Sequence, residues 1–532
     1  MKKNNMIKIL PVVLLSAILF SCNDRLDINE NPNSPTGSVV TPNLQITAIY
    51  ARLATDIHNY NCYGSLMVGY QFPGDGVSGF GDLYSYNFPS SSYTARWNDN
   101  FAHLRDIQGV INAAAEDPYY QYFGAAAHLA KVITYQLLVD EYGDVPYTEG
   151  VRGGENITPK FDDDAEVYKY LISEIDEAIS LFKSGTETTL KFTTSTDGLF
   201  GGDLTKWIQF ANNLKLRLLI RAAGSEIDSF VQSNFTFSPE GFLLETAGYN
   251  PGYNASNQQN PVYNDYHSSV SGSISGYAHY YLPTTYLMTF YQKKFICGDE
   301  AVDAIEEVEG KLTDDRRGSL TYLGYPDVPN YMLGFQGPER PYTPNYIWIE
   351  GILKGRTQDF GMFYDFETYF LLAEAALIGH ELNGDWKTNF KKGMIASFHY
   401  LATNVGGNLV DGADPEADVE EYIKNNSDSY LVNADKATTK EQQLEAIITQ
   451  AYIAYNIING HEAWNNYRRT AYPTIDNTGR RPNLTFASYL SDSPRPDRLS
   501  VRLVYPQDEY DLNYNTPDVG DSYSNPIFWD RN

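Results

Sequence analysis

The sequence predicts a mostly α-helical protein, and two features of the chain carry this prediction. Long segments in two parts of the chain repeat apolar residues every three or four positions, which is the spacing of one helix face. Between them, residues of about 234–360 are rich in Gly, Pro, Asn, Ser and Tyr, and short strands and turns are expected there. We therefore expect one domain over 43–532, with helical blocks at about 43–233 and 361–532 and an irregular region packed on them.

The individual helices can be placed from their apolar stripes. The first block contains four predicted helices, at 95–115, 119–142, 162–182 and 203–223. The third is the clearest, because its apolar residues form one stripe, made of Val167, Leu171, Ile175, Ile179 and Phe182. The second block contains predicted helices at 366–379, 386–402 and 438–459. Consecutive helices of this size suggest tetratricopeptide-like pairs stacked into a superhelix, although the repeat consensus is matched imperfectly.

The N-terminal segment predicts export. Lysines at the start precede an apolar run, 9–20, that is too short to span a bilayer and reads as a signal peptide. The run ends in LFSC, which resembles a bacterial lipobox, although Phe20 departs from the usual small residue. We expect a signal peptide at 1–21, lipidation of Cys22, and a polar tether at 22–42. The alternative is plain secretion with a coincidental cysteine.

Composition narrows the classes of partner. The formal net charge is −28, which disfavours nucleic acid, anionic membrane surfaces and polyanionic glycans as ligands. Tyrosine is abundant, with 43 Tyr against 26 Phe, and its amphipathic ring suits both wet binding surfaces and helix packing. Cys62 and Cys297 could form a disulfide or remain buried thiols, and the sequence favours neither.

Catalytic motifs give no positive signal. Gly74, Gly76 and Gly79 form a literal G-x-G-x-x-G, but the pattern lies in a glycine-rich loop that no helical pattern follows. The chain has no H-E-x-x-H, no G-x-S-x-G and no phosphate-binding lysine loop, and its Cys and His residues do not show zinc spacing. The sequence therefore offers no positive sign of catalysis, and it assigns no residue to a cofactor or a metal.

Six segments, in order along nearly the whole chain, resemble motifs of the SusD/RagB family of Bacteroidetes surface lipoproteins. They are LDINENPNSPT (26–36), DEYGDVPYTEG (140–150), WIQFANNLKLRLLIRAA (207–223), FLLAEAAL (370–377), NGHEAWNNYRRTAYP (459–473) and RLVYPQDEYDLN (502–513).

The resemblance implies a SusD-like fold displayed outside the cell on the outer membrane. It also implies a SusC-like TonB-dependent transporter as partner, over which the protein sits as a lid, and no catalysis. Ligands in the family are mainly glycans and sometimes peptides. We therefore expect capture of oligosaccharides, neutral ones given the charge. Binding of peptides by the same scaffold is the alternative, and a surface glycoside hydrolase is the less favoured one.

Charged and aromatic residues within these motifs are expected to be structural. Arg217, Arg221, Arg468, Arg469 and Trp464 lie in or beside helices, where packing and buried ion pairs explain them. Glu374 and Glu509 are expected to be helix-end or interhelix partners, because buried charges must be paired.

A sugar site should present aromatic rings, because a ring stacks on the apolar face of a pyranose while polar groups bind its hydroxyls. The leading candidates are Tyr346 and Trp348, which alternate with isoleucines in NYIWIE and would face outward with Glu350 from a strand. Further candidates are Tyr325, Tyr331, Phe335, Tyr342, Tyr277, Tyr280, Phe72, Phe80, Tyr84 and Tyr86. Packing against neighbouring loops is the competing explanation for each.

Overall fold

A computed structural model describes residues 40–73, 79–299, 304–323, 349–478 and 481–532. The helices of the first block are α1 (Pro42–Met67), α2 (Gly81–Ser85), α3 (Thr94–Glu116), α4 (Gln121–Tyr142), α5 (Asp164–Lys183), α6 (Leu204–Ala222) and α7 (Asp228–Ser233). The central region contributes α8 (Pro261–Tyr266), α9 (Gly276–Tyr280), α10 (Thr285–Met288) and α11 (Arg317–Thr321). The second block contains α12 (Asp365–Leu377), α13 (Trp386–Leu401), α14 (Pro415–Asn425), α15 (Lys440–Ala454), α16 (Gly460–Thr470) and α17 (Gln507–Leu512).

Short strands supplement the helices, as predicted for the irregular region. They are β1 (Gln71–Pro73), β2 (Ala247–Tyr249), β3 (Tyr281–Pro283), β4 (Lys294–Asp299), β5 (Ala304–Glu309) and β6 (Phe360–Phe363). Among the described residues they form three two-stranded antiparallel sheets, β1–β3, β2–β6 and β4–β5. No helix in the described part of the chain is long and apolar enough to cross a membrane.

The mostly helical fold class is confirmed, and all seven predicted helices are present within a few residues of their predicted ends. The stripe of α5 is buried as expected, and Asp163 caps the helix by accepting a hydrogen bond from the Glu166 amide. Consecutive helices pack in pairs: α3 on α4, α5 on α4 and α6, and α12 on α13. The connection between α3 and α4 is short, which favours packing of these two neighbours against each other.

Helix α1 is the main element that the pattern did not predict. It packs against α3, α4 and α16, and its narrow exposed stripe, formed by Leu44, Ala48, Thr55 and Asn59, carries no charged residue. Its polar residues are paired inside the protein: Asp56 with His103 at 3.0 Å, and Asn61 with the Ile458 carbonyl at 2.8 Å. A helix that buries polar residues and exposes apolar ones lacks the amphipathic signal by which helices are detected.

A buried ion network joins the two helical blocks. Arg221 on α6 bridges the carboxylates of Asp140 on α4 and Glu462 on α16. Arg217, one turn earlier, donates to Glu367 on α12 at 2.7 Å. The pairing of these motif residues is therefore structural, as the sequence indicated.

The remaining motif residues have similar roles. Arg469 pairs with Glu374 at 2.8 Å, and Arg468 donates to the Val501 carbonyl at 2.8 Å. Glu509 accepts a hydrogen bond from the Trp97 indole at 2.9 Å. The conspicuous Arg and Glu residues thus hold helices and the C-terminal segment together.

Asp164, at the start of α5, gives a pH-dependent prediction. Burial, together with the nearby carboxylates of Asp144 and Asp163, raises the pKa of Asp164 to about 7. The folded state therefore favours the protonated carboxyl, and its stability contribution is lost as pH rises through about 7. Raising the pH from about 5.5 to about 8 should therefore destabilise the wild-type protein by about 1–3 kcal/mol more than it destabilises Asp164→Asn. Urea unfolding at both pH values measures this, and parallel pH profiles would contradict it.

Candidate functional site

An aromatic cluster forms where the glycine-rich loop meets the central irregular region. Strand β1 pairs with β3 so that Phe72 lies opposite Leu282 and Pro73 lies opposite Tyr281. This pairing brings the loop aromatics, which are close to residue 80 in sequence, against a tyrosine-rich segment about 200 residues later. We define the aromatic cluster as Phe80, Tyr84, Tyr277 and Tyr281.

The rings of the aromatic cluster contact one another and a buried layer beneath. Tyr277 and Tyr281 stack with centroids 4.5 Å apart and planes 22° from parallel. Phe80 meets Tyr281 edge-on at 6.0 Å. Tyr84 packs edge-on against the buried Phe72 at 4.8 Å. All four cluster rings are partly exposed, so they form an aromatic surface on a packed base.

The residues that precede and follow 324–348 in the sequence lie in the same region. Tyr322 and Ile349 line a small recess together with Tyr277 and Tyr281. Ile349 is buried and Glu350 is exposed, but these two described residues of NYIWIE lie at the start of a turn and not in a strand. The other candidates fall between Tyr322 and Ile349 in the sequence and lie outside the described residues. They are Tyr325, Tyr331, Phe335, Tyr342, Tyr346 and Trp348. Cys22 also lies outside the described residues.

Two predicted ligand residues need correction. Phe72 and Tyr86 are fully buried, so neither can offer a ring face to a sugar. The Tyr86 hydroxyl instead accepts a hydrogen bond from the Ser488 amide at 3.1 Å, fixing the loop to the C-terminal segment. Tyr280 is 41% exposed and remains beside the aromatic cluster. Sequence reasoning missed Tyr281, although its position next to Tyr280 in AHYYLP was a visible signal.

Two larger clefts lie elsewhere. One, of about 390 Å³, lies between the β2–β6 sheet and the end of α13, and its lining includes Lys354, Asp365 and Tyr400. The other, of about 410 Å³, lies beside the Arg469–Glu374 pair and is lined by ends of α6, α12 and α15. Both are larger than the recess beside the aromatic cluster, so volume alone does not select the site.

The electrostatics of the first cleft argue against sugar stacking there. The Lys354 ammonium lies 4.1 Å from the centre of the Tyr400 ring and covers it. Burial lowers the pKa of Lys354 to about 8, and burial raises the pKa of the nearby Asp365 carboxyl to about 6. The cleft is therefore a partly desolvated charged site without an open aromatic platform at Tyr400.

Cys62 is a free, buried thiol on α1. Of the two alternatives that the sequence left open, the structure thus has this cysteine unpaired.

Two family models match this chain. Residues 32–297 match the family described as "Starch-binding associating with outer membrane". Residues 354–524 match the family described as "Susd and RagB outer membrane lipoprotein". A search of curated protein sequences gives no match.

Solved structures share the fold. A SusD-like protein from Bacteroides thetaiotaomicron is 21% identical with a TM-score of 0.65, over 92% of this chain and 99% of that one. A chitin-binding SusD homolog from Flavobacterium johnsoniae is 20% identical with a TM-score of 0.64, over the same shares of the two chains. A SusD homolog from Bacteroides uniformis is 22% identical with a TM-score of 0.63, again over 92% and 99%. The chain therefore belongs to the SusD/RagB family of outer-membrane lipoproteins.

Proposed function

We propose that this protein is a surface-exposed, non-catalytic lipoprotein that captures neutral oligosaccharides and delivers them to a SusC-like TonB-dependent transporter as its lid. The observation that carries the proposal is the aromatic cluster, where two distant loop segments place partly exposed rings side by side. The starch-binding family description and the chitin-binding homologue with the same fold support a carbohydrate ligand.

Physical chemistry favours this surface for sugars. Water competes for every hydroxyl, so a protein–sugar hydrogen bond contributes only about 0.5–1.5 kcal/mol net. Stacking of a pyranose on Tyr277 and Tyr281 adds apolar burial that water cannot replace. The net charge of −28 disfavours acidic glycans, which would approach against the field of the whole protein.

Native affinity electrophoresis tests the proposal. Residues 23–532, which contain every described residue, would run through gels that contain individual neutral or acidic polysaccharides. We expect retardation by a neutral glycan, weaker or no retardation by acidic ones, and no new reducing ends after incubation. New reducing ends would indicate a glycoside hydrolase instead. No retardation by any glycan, combined with binding of peptides, would overturn the choice of ligand.

Delivery to a transporter is tested separately. The lipidated protein, isolated from outer membranes in mild detergent, is expected to co-purify with a TonB-dependent barrel. Recovery of the protein alone, under conditions that keep other outer-membrane complexes together, would contradict this part of the proposal.

A further inference from the structure

We propose that the cleft of about 410 Å³ beside the Arg469–Glu374 pair binds a small carboxylate that carries an aliphatic tail. The inference goes beyond glycan binding and does not depend on it. We name this cleft the arginine cleft, because Arg469 and Arg531 both line it. Its volume lies in the range of small-molecule sites, which is about 300–1,000 Å³.

The apolar walls of the arginine cleft are aliphatic. They lie at or near the ends of α6, α12 and α15, and their side chains are Ile220, Ala223, Leu377, Ile378 and Leu444. No aromatic ring belongs to the described lining, so the cleft lacks the stacking surface that a pyranose uses. An alkyl chain needs no such surface, because its burial depends on the apolar area that is removed from water. The walls therefore favour an alkyl group over a sugar.

The acids that line the cleft already have stabilising partners. Both carboxylate oxygens of Glu374 accept hydrogen bonds from Nη2 of Arg469, at 3.0 and 2.8 Å. Asp228 accepts a hydrogen bond from the Gly224 amide at 2.7 Å. Glu441 lies in the first turn of α15, where the helix dipole favours a negative charge. These acids are therefore satisfied without a cationic ligand.

Arg531 is the lining residue whose charge is not engaged. It is exposed, and among the described residues it has no hydrogen-bond or ion-pair partner. Its guanidinium lies over Gly224, where an added Cβ would come within 2.4 Å of Nη1. Gly224 also has a φ of +75°, so both the close approach and the backbone conformation require glycine. The end of α6 thus leaves room for this guanidinium at the cleft.

The positive groups around the cleft favour an anion. Partial burial, together with the positive charge of Arg469, lowers the pKa of Arg531. Only Nη2 of Arg469 is hydrogen-bonded within the described part of the chain, so its other N–H groups are available. A carboxylate can accept two parallel hydrogen bonds from a guanidinium and offsets the repulsion between two of them. The net charge of −28 opposes any anion at long range, but at 0.15 M salt this field is screened beyond about 8 Å.

A comparison of three small ligands tests the chemistry of the cleft. Residues 23–532 would be titrated with hexanoate, acetate or hexan-1-ol at 0.15 M NaCl, and binding followed by saturation-transfer NMR. We expect saturable binding of hexanoate with a Kd at least about tenfold below those of the other two, because acetate lacks the tail and hexan-1-ol lacks the charge. Absence of saturable hexanoate binding, or equal affinity for hexanoate and either comparison ligand, would overturn the proposal.

Variants place the hexanoate in the arginine cleft. Arg531→Gln should weaken hexanoate binding by at least about fivefold and leave the binding of hexan-1-ol unchanged. Arg105→Gln, which removes an exposed arginine from α3, is the matched control for net charge and should bind hexanoate like wild type. Ile378→Asp puts a negative charge at the 41% exposed Ile378 position in the lining; it should also weaken hexanoate binding, and it keeps the test valid if Arg531→Gln perturbs the C-terminal segment. Wild-type affinity for hexanoate in either folded cleft variant, or an equal loss in Arg105→Gln, would refute the assignment.

Discussion

Replacing Arg221 by methionine is expected to lower the free energy of unfolding by about 3–5 kcal/mol, because two carboxylates then remain buried without their cation. Asp140 and Glu462 both lie in the interior and both pair with Arg221. Burial alone would raise the pKa of Asp140, but Arg221 and His461 hold it at about 2. The stability that ionised Asp140 contributes to the wild-type protein should therefore be full above about pH 4 and be lost as pH falls through about 2.

Urea unfolding followed by circular dichroism measures this loss, and a matched ion pair provides the control. Lys387 pairs with Asp435 at 2.6 Å, but both side chains are exposed to solvent. Lys387→Met should therefore cost less than about 1 kcal/mol. Equal losses of unfolding free energy in the two variants would contradict the argument that burial makes the Arg221 ion pairs costly to break.

Gly460→Ala is expected to cost about 3 kcal/mol or more, because α1 and α16 are in backbone contact at this glycine. A methyl group at Gly460 would overlap the Asn61 carbonyl and the Ser65 amide. A methyl group at Gly64 would likewise overlap the backbone of Gly460. The Ser65 hydroxyl could rotate away from the added methyl group, but the two backbone atoms cannot, so relief requires the two helices to separate. The glycine in the NGHEAW segment is therefore required by packing.

Gly109→Ala is the matched control for helical glycines. Gly109 lies within α3 and faces solvent, and an added methyl group there would meet nothing within 4 Å. This substitution should stabilise the protein by about 0.5–1 kcal/mol, because alanine restricts the unfolded chain and favours the helix. Thermal melts of both variants measure the difference. A Gly460→Ala protein as stable as Gly109→Ala would contradict the close contact of α1 and α16.

The sequence predicted the helices that have a polar exposed face and an apolar buried face. Helix α5 has a single apolar stripe, so its position and its capping aspartate could be read directly. Helix α1 could not, because its polar residues pair inside the protein and remove the periodic signal. Helix α14 was also missed; it is short, and only Pro415, Val419 and Tyr422 are buried.

The candidate site was predicted by residue type but not by arrangement. The sequence predicts Tyr277, Phe80 and Tyr84 as ligand-binding aromatics, and the pairing of β1 with β3 brings them together. Phe72 lies on β1 itself and is buried, which local sequence could not reveal without the identity of its partner strand. The hydrogen bond between His58 and Asp265 was invisible for the same reason, since a contact between residues 207 positions apart depends on the tertiary fold.

The most direct test of glycan capture by the aromatic cluster is isothermal titration calorimetry with an oligosaccharide of the polysaccharide that retards the protein. Replacing both Tyr277 and Tyr281 by alanine should weaken binding by at least about tenfold, since about 1.4 kcal/mol of stacking corresponds to that factor. The control replaces Tyr119 and Tyr514, which are 45% and 85% exposed and do not belong to the cluster, and it should bind like wild type. Wild-type affinity in a folded Tyr277→Ala, Tyr281→Ala double variant would contradict the assignment of the site.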